Sequence, residues 1–432
     1  MIKKFNIFID IEYLGMQLLF ISLLFINLLS RITGFNMNVL LYAVMLFQFI
    51  YSLKYFTLNK VILTHLLVVS WFVLYIFDFR YHFFANILTI KDIILPTLSI
   101  FIGFRLYEKR EKVINFLNFI YLPFILYGII QAVSYYTNNF ARFLPWDEYW
   151  ITVSPAQNLF QGKLLRFFGT MNSFVEYQVY VIFIIALIWL NYKLVKNKML
   201  FKLNIIFAST FLAISLERSP IVMTLIFLFI WKLGNVFQKP VNILKYISIL
   251  LIVLLAITAN ADSLRNNQMT ASAFNRLENV LTMNFSKDAS ITERINGQWK
   301  ESIDLMLTTE NFFGIGTGKV TPSANGYKDY IGPHNNYFAI YLAYGFVGLL
   351  LFLILLLNIA INLKKLDREF KYFGYGILLS FCAMAVFNFP FSGRQSTLFF
   401  LIIGFLLKSY KGKNQLNFNN DSALPYKTAK VH

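Results

Sequence analysis

The stretch GIGTGKVTPSANGYKDYIGPHNNYFAIYLAYGFVGLL, residues 314–350, joins a polar loop rich in glycine to a long apolar run. Glycines at three alternate positions of the loop can adopt positive φ, and Gly332-Pro333 predicts a second break directly before His334. Residues 337–361 are apolar over a length that can cross a bilayer. His334 is therefore predicted to lie where a loop built to bend around a ligand meets a membrane helix.

Two interpretations of His334 are open at this stage. In the first, His334-Asn335 only caps the helix, because Asn is a favoured N-cap residue. In the second, the imidazole at the start of the helix has a chemical role. The residue types alone do not separate the two.

The amino-acid composition predicts a membrane protein. It is 58% hydrophobic and 14% charged and contains 48 Phe, which is more apolar surface than one soluble core can bury. The net charge of +18 would suggest a nucleic-acid partner in a soluble protein, but here the basic residues cluster in short segments between apolar runs. Membrane topology explains that clustering, so no nucleic-acid partner is predicted. The single cysteine, Cys382, excludes an intrachain disulfide.

The apolar runs predict an all-α, polytopic integral membrane protein with about 12 transmembrane helices. Two segments are too long and polar to be simple connectors, and they are predicted as external loops at about 135–173 and 261–336. Residues 1–410 thus form the membrane domain, and residues 411–432 form an aperiodic, disordered cytoplasmic tail. The predicted spans are 12–29, 38–56, 61–79, 92–107, 115–134, 174–192, 199–216, 219–235, 244–260, 337–361, 372–390 and 395–410.

The distribution of basic residues predicts the orientation. Because the number of spans is even, both termini lie on one side, and with that side cytoplasmic most of the 39 Lys and Arg residues fall inside. The external loop 261–336 contains apolar residues near helical spacing over 291–308, which predicts an amphipathic helix on the membrane surface. The basic residues of the short outer loops are few: Arg31, Arg80, Lys91, Arg218 and Arg394.

Several arginines on the predicted outer side are candidates for binding an anion. Arg218 follows Glu217 in a turn between two apolar runs, where either a local ion pair or a bound phosphate would satisfy it. Arg166 and Arg294 lie in the two external loops, and Arg394 is a weaker fourth candidate in the last outer turn. Together with His334 they would form a cradle for a diphosphate.

Metal binding finds no support in the sequence. None of the four histidines is spaced with another as metal ligands are, and no P-loop, Gly-x-Ser-x-Gly or His-Glu-x-x-His pattern occurs. If the protein is an enzyme, arginines must stabilise the negative charge that develops in the transition state, and no metal or cofactor is predicted.

A set of motifs resembles the O-antigen polymerase and ligase superfamily, over residues 166–348. Each motif is short, but their order along the chain is that of the superfamily. The motifs are Arg166-Phe-Phe-Gly169-Thr-Met-Asn172, Glu217-Arg218-Ser219, Arg294 with Trp299, Gly314-Ile-Gly316-Thr-Gly318, and His334-Asn335 followed by Gly345-Phe-Val-Gly348.

The resemblance implies a metal-independent glycosyltransferase with a membrane-embedded, GT-C-like fold in a bacterial plasma (inner) membrane. It would transfer glycan from an undecaprenyl diphosphate carrier to an acceptor hydroxyl at the periplasmic face. By position, Arg218, Arg294 and Arg166 would hold the diphosphate, and His334 would be the general base, a task that an ordinary imidazole pKa near 6.5 suits. Asn335, Gly314, Gly316 and Arg394 would support the site.

The resemblance favours a Wzy-type polymerase, which extends O-antigen or capsular repeat units. The alternative is a WaaL-type ligase, which transfers finished glycan to a lipid A core or a protein. Flippase and chain-length regulator proteins are the expected partners besides the lipid-linked glycan and the bilayer. The sequence departs from the superfamily pattern at Glu217 and Tyr344, so the subfamily stays open. An alternative of another class is a lipid-linked oligosaccharide flippase or transporter, which would be expected to place its charges near the middle of the bilayer.

Overall fold

A computed structural model describes residues 10–55, 59–77, 90–137, 169–171, 174–215, 218–236, 294–308, 312–317, 320 and 331–421. Within these ranges the regular structure is entirely helical, so the predicted all-α class is confirmed for them. The predicted span 244–260 and most of both predicted external loops lie outside the described residues.

Long helices occur at each of the other predicted spans. The helices are α1 (Ile11–Thr33), α2 (Asn38–Ser52), α3 (Lys60–Leu74), α4 (Leu95–Glu108), α5 (Arg110–Thr137), α6 (Phe174–Leu190), α7 (Lys198–Ser215), α8 (Arg218–Val236), α9 (Lys300–Thr308), α10 (Asn336–Leu363), α11 (Arg368–Ala385) and α12 (Gly393–Asp421). Single turns of 3₁₀-helix extend α2 and α3, and π-helical turns at Ile90–Ile94 and Arg294–Trp299 lead into α4 and α9.

Five of the described helices are long and apolar enough to cross a membrane. They cover Ile11–Ser30, Asn38–Tyr55, Lys60–Phe77, Arg110–Gln131 and Asn336–Leu363. Two further apolar helices, Val175–Leu190 and Pro220–Lys232, are shorter. The protein is therefore an integral membrane protein with several spanning helices, while the count of twelve stays a prediction.

Glycines set the closest helix packing in the bundle. A Cβ atom added to Gly404 of α12 would collide with the carbonyl oxygen of Ile100 and lie 3.1 Å from the Cα of Gly103, both in α4. Small residues let membrane helices approach this closely because no side chain separates the backbones. The surrounding core is rich in aromatic side chains, such as Phe101, whose ring meets that of the buried His65 at 5.8 Å.

Charged side chains gather at the opposite end of the bundle from His334. Asp10 caps α1 by accepting from the backbone N–H of Tyr13 at 3.1 Å, and it also contacts the Nζ atoms of Lys112 at 3.0 Å and Lys109 at 3.3 Å. These contacts, the Lys112 hydrogen bond first, lower the pKa of the Asp10 carboxyl to about 2. Nearby, the fully buried Arg105 donates to the Gln48 side chain at 2.7 Å.

Two predictions concern the ends of helices α7, α8 and α12. Helix α7 ends at Ser215 and α8 begins at Arg218, so the predicted turn lies partly outside the described residues, and Pro220 lies in the first turn of α8 as expected. Helix α12 continues past residue 411 to Asp421, and the assignment of residues 411–432 as a cytoplasmic tail stays a prediction.

Candidate functional site

His334 lies directly before the N-cap of α10. Asn335 is the N-cap residue, and its side-chain oxygen accepts from the backbone N–H groups of Tyr337 at 2.9 Å and Phe338 at 3.1 Å. His334 itself has a φ of 46°, the left-handed conformation that residues other than Gly seldom adopt. The capping interpretation is thus correct for Asn335, and it leaves the His334 ring, which is half-buried, outside the cap.

The turn between α11 and α12 supports His334 from the side. The ring centroid of Phe389 lies 5.9 Å from that of His334, and the backbone N–H of Phe391 donates to the Asn336 side chain at 3.0 Å. Both contacts join the start of α10 to one short turn. The position of the imidazole therefore depends on residues 387–392 as well as on its own helix.

Arg294 meets the same turn. Its Nη1 atom donates to the carbonyl oxygen of Phe387 at 3.1 Å. One helical turn further, the ring of Trp299 lies 5.7 Å from Phe387 and 6.1 Å from Phe338. Since Phe387 and Phe389 are only two residues apart, Arg294 and His334 lie in one corner of the molecule, and their predicted roles in binding a diphosphate stay predictions.

Arg394 has a protein partner that the sequence analysis did not identify. Its guanidinium contacts the carboxylate of Glu176 through Nε at 2.6 Å and Nη2 at 3.0 Å, a bidentate pair that is nearly buried. Tyr180, one turn along α6, donates from its hydroxyl to the Arg394 carbonyl at 2.6 Å. These contacts bind the start of α12 to α6, so Arg394 has a clear part in holding the helices together.

The glycine-rich loop packs into α10 some distance from His334. Gly314 has a φ of 80° and Gly316 a φ of 93°, so both use the conformational freedom expected of them. The backbone N–H of Ile315 donates to the carbonyl oxygen of Leu342 at 2.7 Å. The loop is thus bonded to the helix that follows His334.

A small apolar cavity of about 30 Å³ lies beside the start of α10. Asn336 and Phe389, which contact the His334 corner, also line it. Its other walls come mainly from α3, α10, α12 and the turn before α12, and they include five aromatic side chains: Phe72, Tyr344, Phe352, Phe391 and Phe400.

The remaining predicted residues are only partly described. Arg166 lies outside the described residues. Arg218 is the first residue of α8, and only its backbone is described. Their convergence with Arg294 stays a prediction. In the described part of the chain, no group of three or more His, Cys, Asp or Glu side chains is placed to hold a metal ion.

Three features of this region escaped sequence analysis. The Glu176–Arg394 pair joins residues far apart in the chain, and no local pattern marks such a pairing. The supporting turn at Phe387–Phe391 is apolar and resembles the end of a span. The interruption of α10 at Gly345 lies in a continuous apolar run, where only the glycine itself could have signalled it.

Comparison with known families agrees with the motifs. Residues 203–353 match the family model described as O-Antigen ligase. The match covers Arg218, Arg294, the glycine-rich loop and His334-Asn335, and it confirms the resemblance to the O-antigen polymerase and ligase superfamily. No curated protein matches the chain.

Proposed function

We propose, from the superfamily resemblance and the geometry of the His334 corner together, that the protein is a membrane glycosyltransferase. It polymerises oligosaccharide repeat units that are linked to undecaprenyl diphosphate, for O-antigen or capsular polysaccharide. The reaction takes place at the outer face of the bacterial plasma membrane, with both termini in the cytoplasm. In a GT-C-like site of this kind no metal takes part.

In the proposed reaction, an acceptor hydroxyl attacks the anomeric carbon of the donor sugar, and the bond from that carbon to the diphosphate oxygen breaks. His334 takes the proton of the hydroxyl as general base. Arg294, Arg218 and Arg166 bind the diphosphate, whose negative charge grows as it leaves. The N-terminal end of α10 adds a favourable dipole for an anion beside His334.

The observation that carries this proposal is the turn that His334 and Arg294 share. Arg294 donates to Phe387 and His334 packs against Phe389, so a base and a cation lie in the same corner at the mouth of a membrane helix. A general base next to a cationic group is the arrangement that glycosyl transfer with a diphosphate leaving group needs.

His334→Ala tests the assignment of the base. We expect polysaccharide chains to stop at a single repeat unit while the amount of protein in the membrane stays at the wild-type level. His432→Ala is the matched control, because it removes an imidazole from the C-terminal tail and should leave chain growth unchanged. Chains of wild-type length in the His334→Ala strain would refute the role of His334.

A charge-conserving pair of variants tests the role of Arg294. Loss of a charge-assisted hydrogen bond to a phosphate should lower kcat/KM for the donor by about 10- to 100-fold in Arg294→Ala. Arg294→Lys should keep part of that rate, because it retains the charge without the fork of donors. Equal rates for the two variants would mean that the charge of Arg294 does not contribute to donor binding.

A ligase is the second candidate, and the description of the matched family as O-Antigen ligase favours it. In that case the protein would pass finished glycan to a lipid A core or protein acceptor. Deleting a polymerase should remove long undecaprenyl-linked chains, whereas deleting a ligase should make them accumulate. The same His334 and Arg294 chemistry would serve both reactions, so only the fate of the long chains distinguishes them.

Metal independence is part of the proposal and can be tested directly. Purified protein should give the same rate with an excess of EDTA as with added Mg²⁺ or Mn²⁺, because arginines supply the positive charge. A loss of activity in EDTA that is restored by a divalent cation would contradict this part of the mechanism.

A further inference from the structure

Helix α10 is interrupted at Gly345. This residue has a φ of 70° and a ψ of −175°, a backbone conformation essentially confined to glycine. The interruption divides α10 into an upper half, Asn336 to Tyr344, which follows His334, and a lower half from Phe346 to Leu363. At the break, the regular hydrogen bonding that would hold one half in line with the other is lost.

The glycine-rich loop fills the interruption. A Cβ atom on Gly314 would lie 2.5 Å from the backbone nitrogen of Gly345 and 2.7 Å from the carbonyl oxygen of Ala343. A Cβ atom on Gly345 would collide with the backbone of Phe312 and Phe313. The loop and the helix therefore touch through their main chains, and the Ile315 to Leu342 hydrogen bond adds a direct link.

Two side chains from α3 and the turn that follows it hold both backbones at this point. Trp71 donates from Nε1 to the carbonyl oxygen of Tyr344 at 3.1 Å. The hydroxyl of Tyr75 donates to the carbonyl oxygen of Phe313 in the loop and lies 3.4 Å from that same oxygen of Tyr344. Tyr75 is thus the one side chain among these that bridges the loop and the broken helix.

Aromatic packing fixes the orientation of this bridge. The rings of Tyr75 and Tyr344 meet edge to face at 5.3 Å, and Phe72 stacks on Tyr344 at 3.9 Å. Trp71 stacks on Phe313 at 6.3 Å. Since Tyr75 is only 9% exposed, water cannot easily replace the hydrogen bond that its hydroxyl makes.

We propose that Tyr75 is a positioning residue for the His334 reaction, acting through the carbonyl oxygens of Phe313 and Tyr344. The bridge lies about 13 Å along the helix axis from the start of α10. At that distance it touches no reacting group. It sets the direction of the upper half of α10, and thereby the place of His334, by tying that half to the loop and to α3.

This inference rests on the proposed function for its effect on catalysis, whereas the bridge itself can be tested without any reaction. Tyr75→Phe removes only the hydroxyl. We expect kcat for chain extension to fall about fivefold, the population change that one lost hydrogen bond produces, with KM for the lipid-linked donor unchanged. A rise in KM is not expected, because the arginines proposed to bind the diphosphate lie outside the upper half of α10.

Tyr121→Phe is the matched control. Tyr121 is likewise buried, and its hydroxyl donates to the carbonyl oxygen of Val181 at 2.8 Å, between α5 and α6. The Tyr121→Phe variant therefore loses an equivalent hydrogen bond elsewhere in the bundle. If Tyr121→Phe lowered kcat as much as Tyr75→Phe, the effect would be general destabilisation and the proposal would fail.

Trypsin cleavage after Lys319, which follows the bridged loop in sequence, is the second readout. Loosening the loop should make the cleavage in Tyr75→Phe about fivefold faster than in the wild type and in Tyr121→Phe. An unchanged kcat together with an unchanged cleavage rate would overturn the proposal. Faster cleavage in a protein whose wild type transfers no glycan would support the bridge and instead reject the proposed function.

Discussion

Two places in this bundle bring backbones into contact through glycine, and they do so in different ways. Where α4 crosses α12, Gly103 and Gly404 lie in helices that both continue without interruption. Where the loop meets α10, Gly314 and Gly345 both have positive φ, and the helix is broken. The first contact needs only the absence of a Cβ atom. The second also needs a backbone conformation that other residues resist, so it should be the less tolerant of the two.

Gly345→Ala should have the largest effect of any single methyl group added to a glycine. The strain of the backbone and the collision with the loop should together cost about 4 kcal/mol of unfolding free energy. Thermal unfolding in detergent measures this cost, and glycan transfer should be lost with it. Gly297→Ala is the control, because a Cβ atom there has open space and should leave the unfolding temperature within error. A wild-type melting curve for Gly345→Ala would mean that the break does not need glycine.

Gly404→Ala should have an intermediate effect. The added methyl group forces α4 and α12 apart, at a cost of about 2 kcal/mol, and the better helix propensity of Ala offsets part of it. This crossing does not hold His334, so kcat should stay near the wild-type value below the unfolding temperature. A selective loss of kcat in Gly404→Ala, without a change in unfolding temperature, would show that the two contacts are not separate in function.

Gly34→Ala isolates the cost of positive φ. Gly34 ends α1 with a φ of 67°, and a Cβ atom there would meet nothing within 4 Å. The left-handed conformation alone should cost about 1 kcal/mol. A cost as large as that of Gly345→Ala would mean that conformation, and not contact with the loop, dominates at the break.

Acid should destabilise the fold at the start of α1, where Asp10 lies, and not at either glycine contact. The lowered pKa of Asp10 means that its charged form stabilises the fold above the ordinary carboxyl pKa of 3.8, and this stabilisation is lost as the pH falls toward about 2. Asp10→Asn keeps the oxygen that caps α1 and removes the charge. The difference in unfolding temperature between wild type and Asp10→Asn should have its full, modest size at pH 5, shrink as the pH falls to 2, and vanish below that pH. A difference of the same size at pH 5 and at pH 2 would mean that the charge of Asp10 is not its source.

The sequence predicted what depends on local pattern. Long apolar runs predicted the helices at the eleven predicted spans that the structure describes, and the cap by Asn335 and the place of Pro220 in the first turn of α8 followed from residue type. The grouping of Arg294 with His334 was predicted from their shared outer side and from the resemblance, and their roles at the site stay predictions. What could not be predicted depends on contacts between distant segments. Hydropathy does not distinguish Gly345 within an apolar run from any other small residue, and the partner that needs it, Gly314, is 31 residues earlier in the chain.

The same reasoning applies to Arg394. A lone arginine in an outer turn is open to either a ligand or a carboxylate partner, and the choice was made by Glu176, more than 200 residues away. Removing one member of a buried ion pair leaves an uncompensated charge, so a substitution of either Glu176 or Arg394 alone should weaken the joint between α6 and α12. The candidate site thus combines residues that motifs identify with supports that only the fold reveals.

The central claim is that His334 and Arg294 perform glycosyl transfer from a diphosphate carrier without a metal. The most direct measurement is the reaction of purified protein in EDTA with a synthetic repeat unit linked to undecaprenyl diphosphate, followed by mass spectrometry of the products. The account predicts that wild type joins two or more repeat units and releases undecaprenyl diphosphate, whereas His334→Ala does neither. Equal product from the two proteins would contradict it.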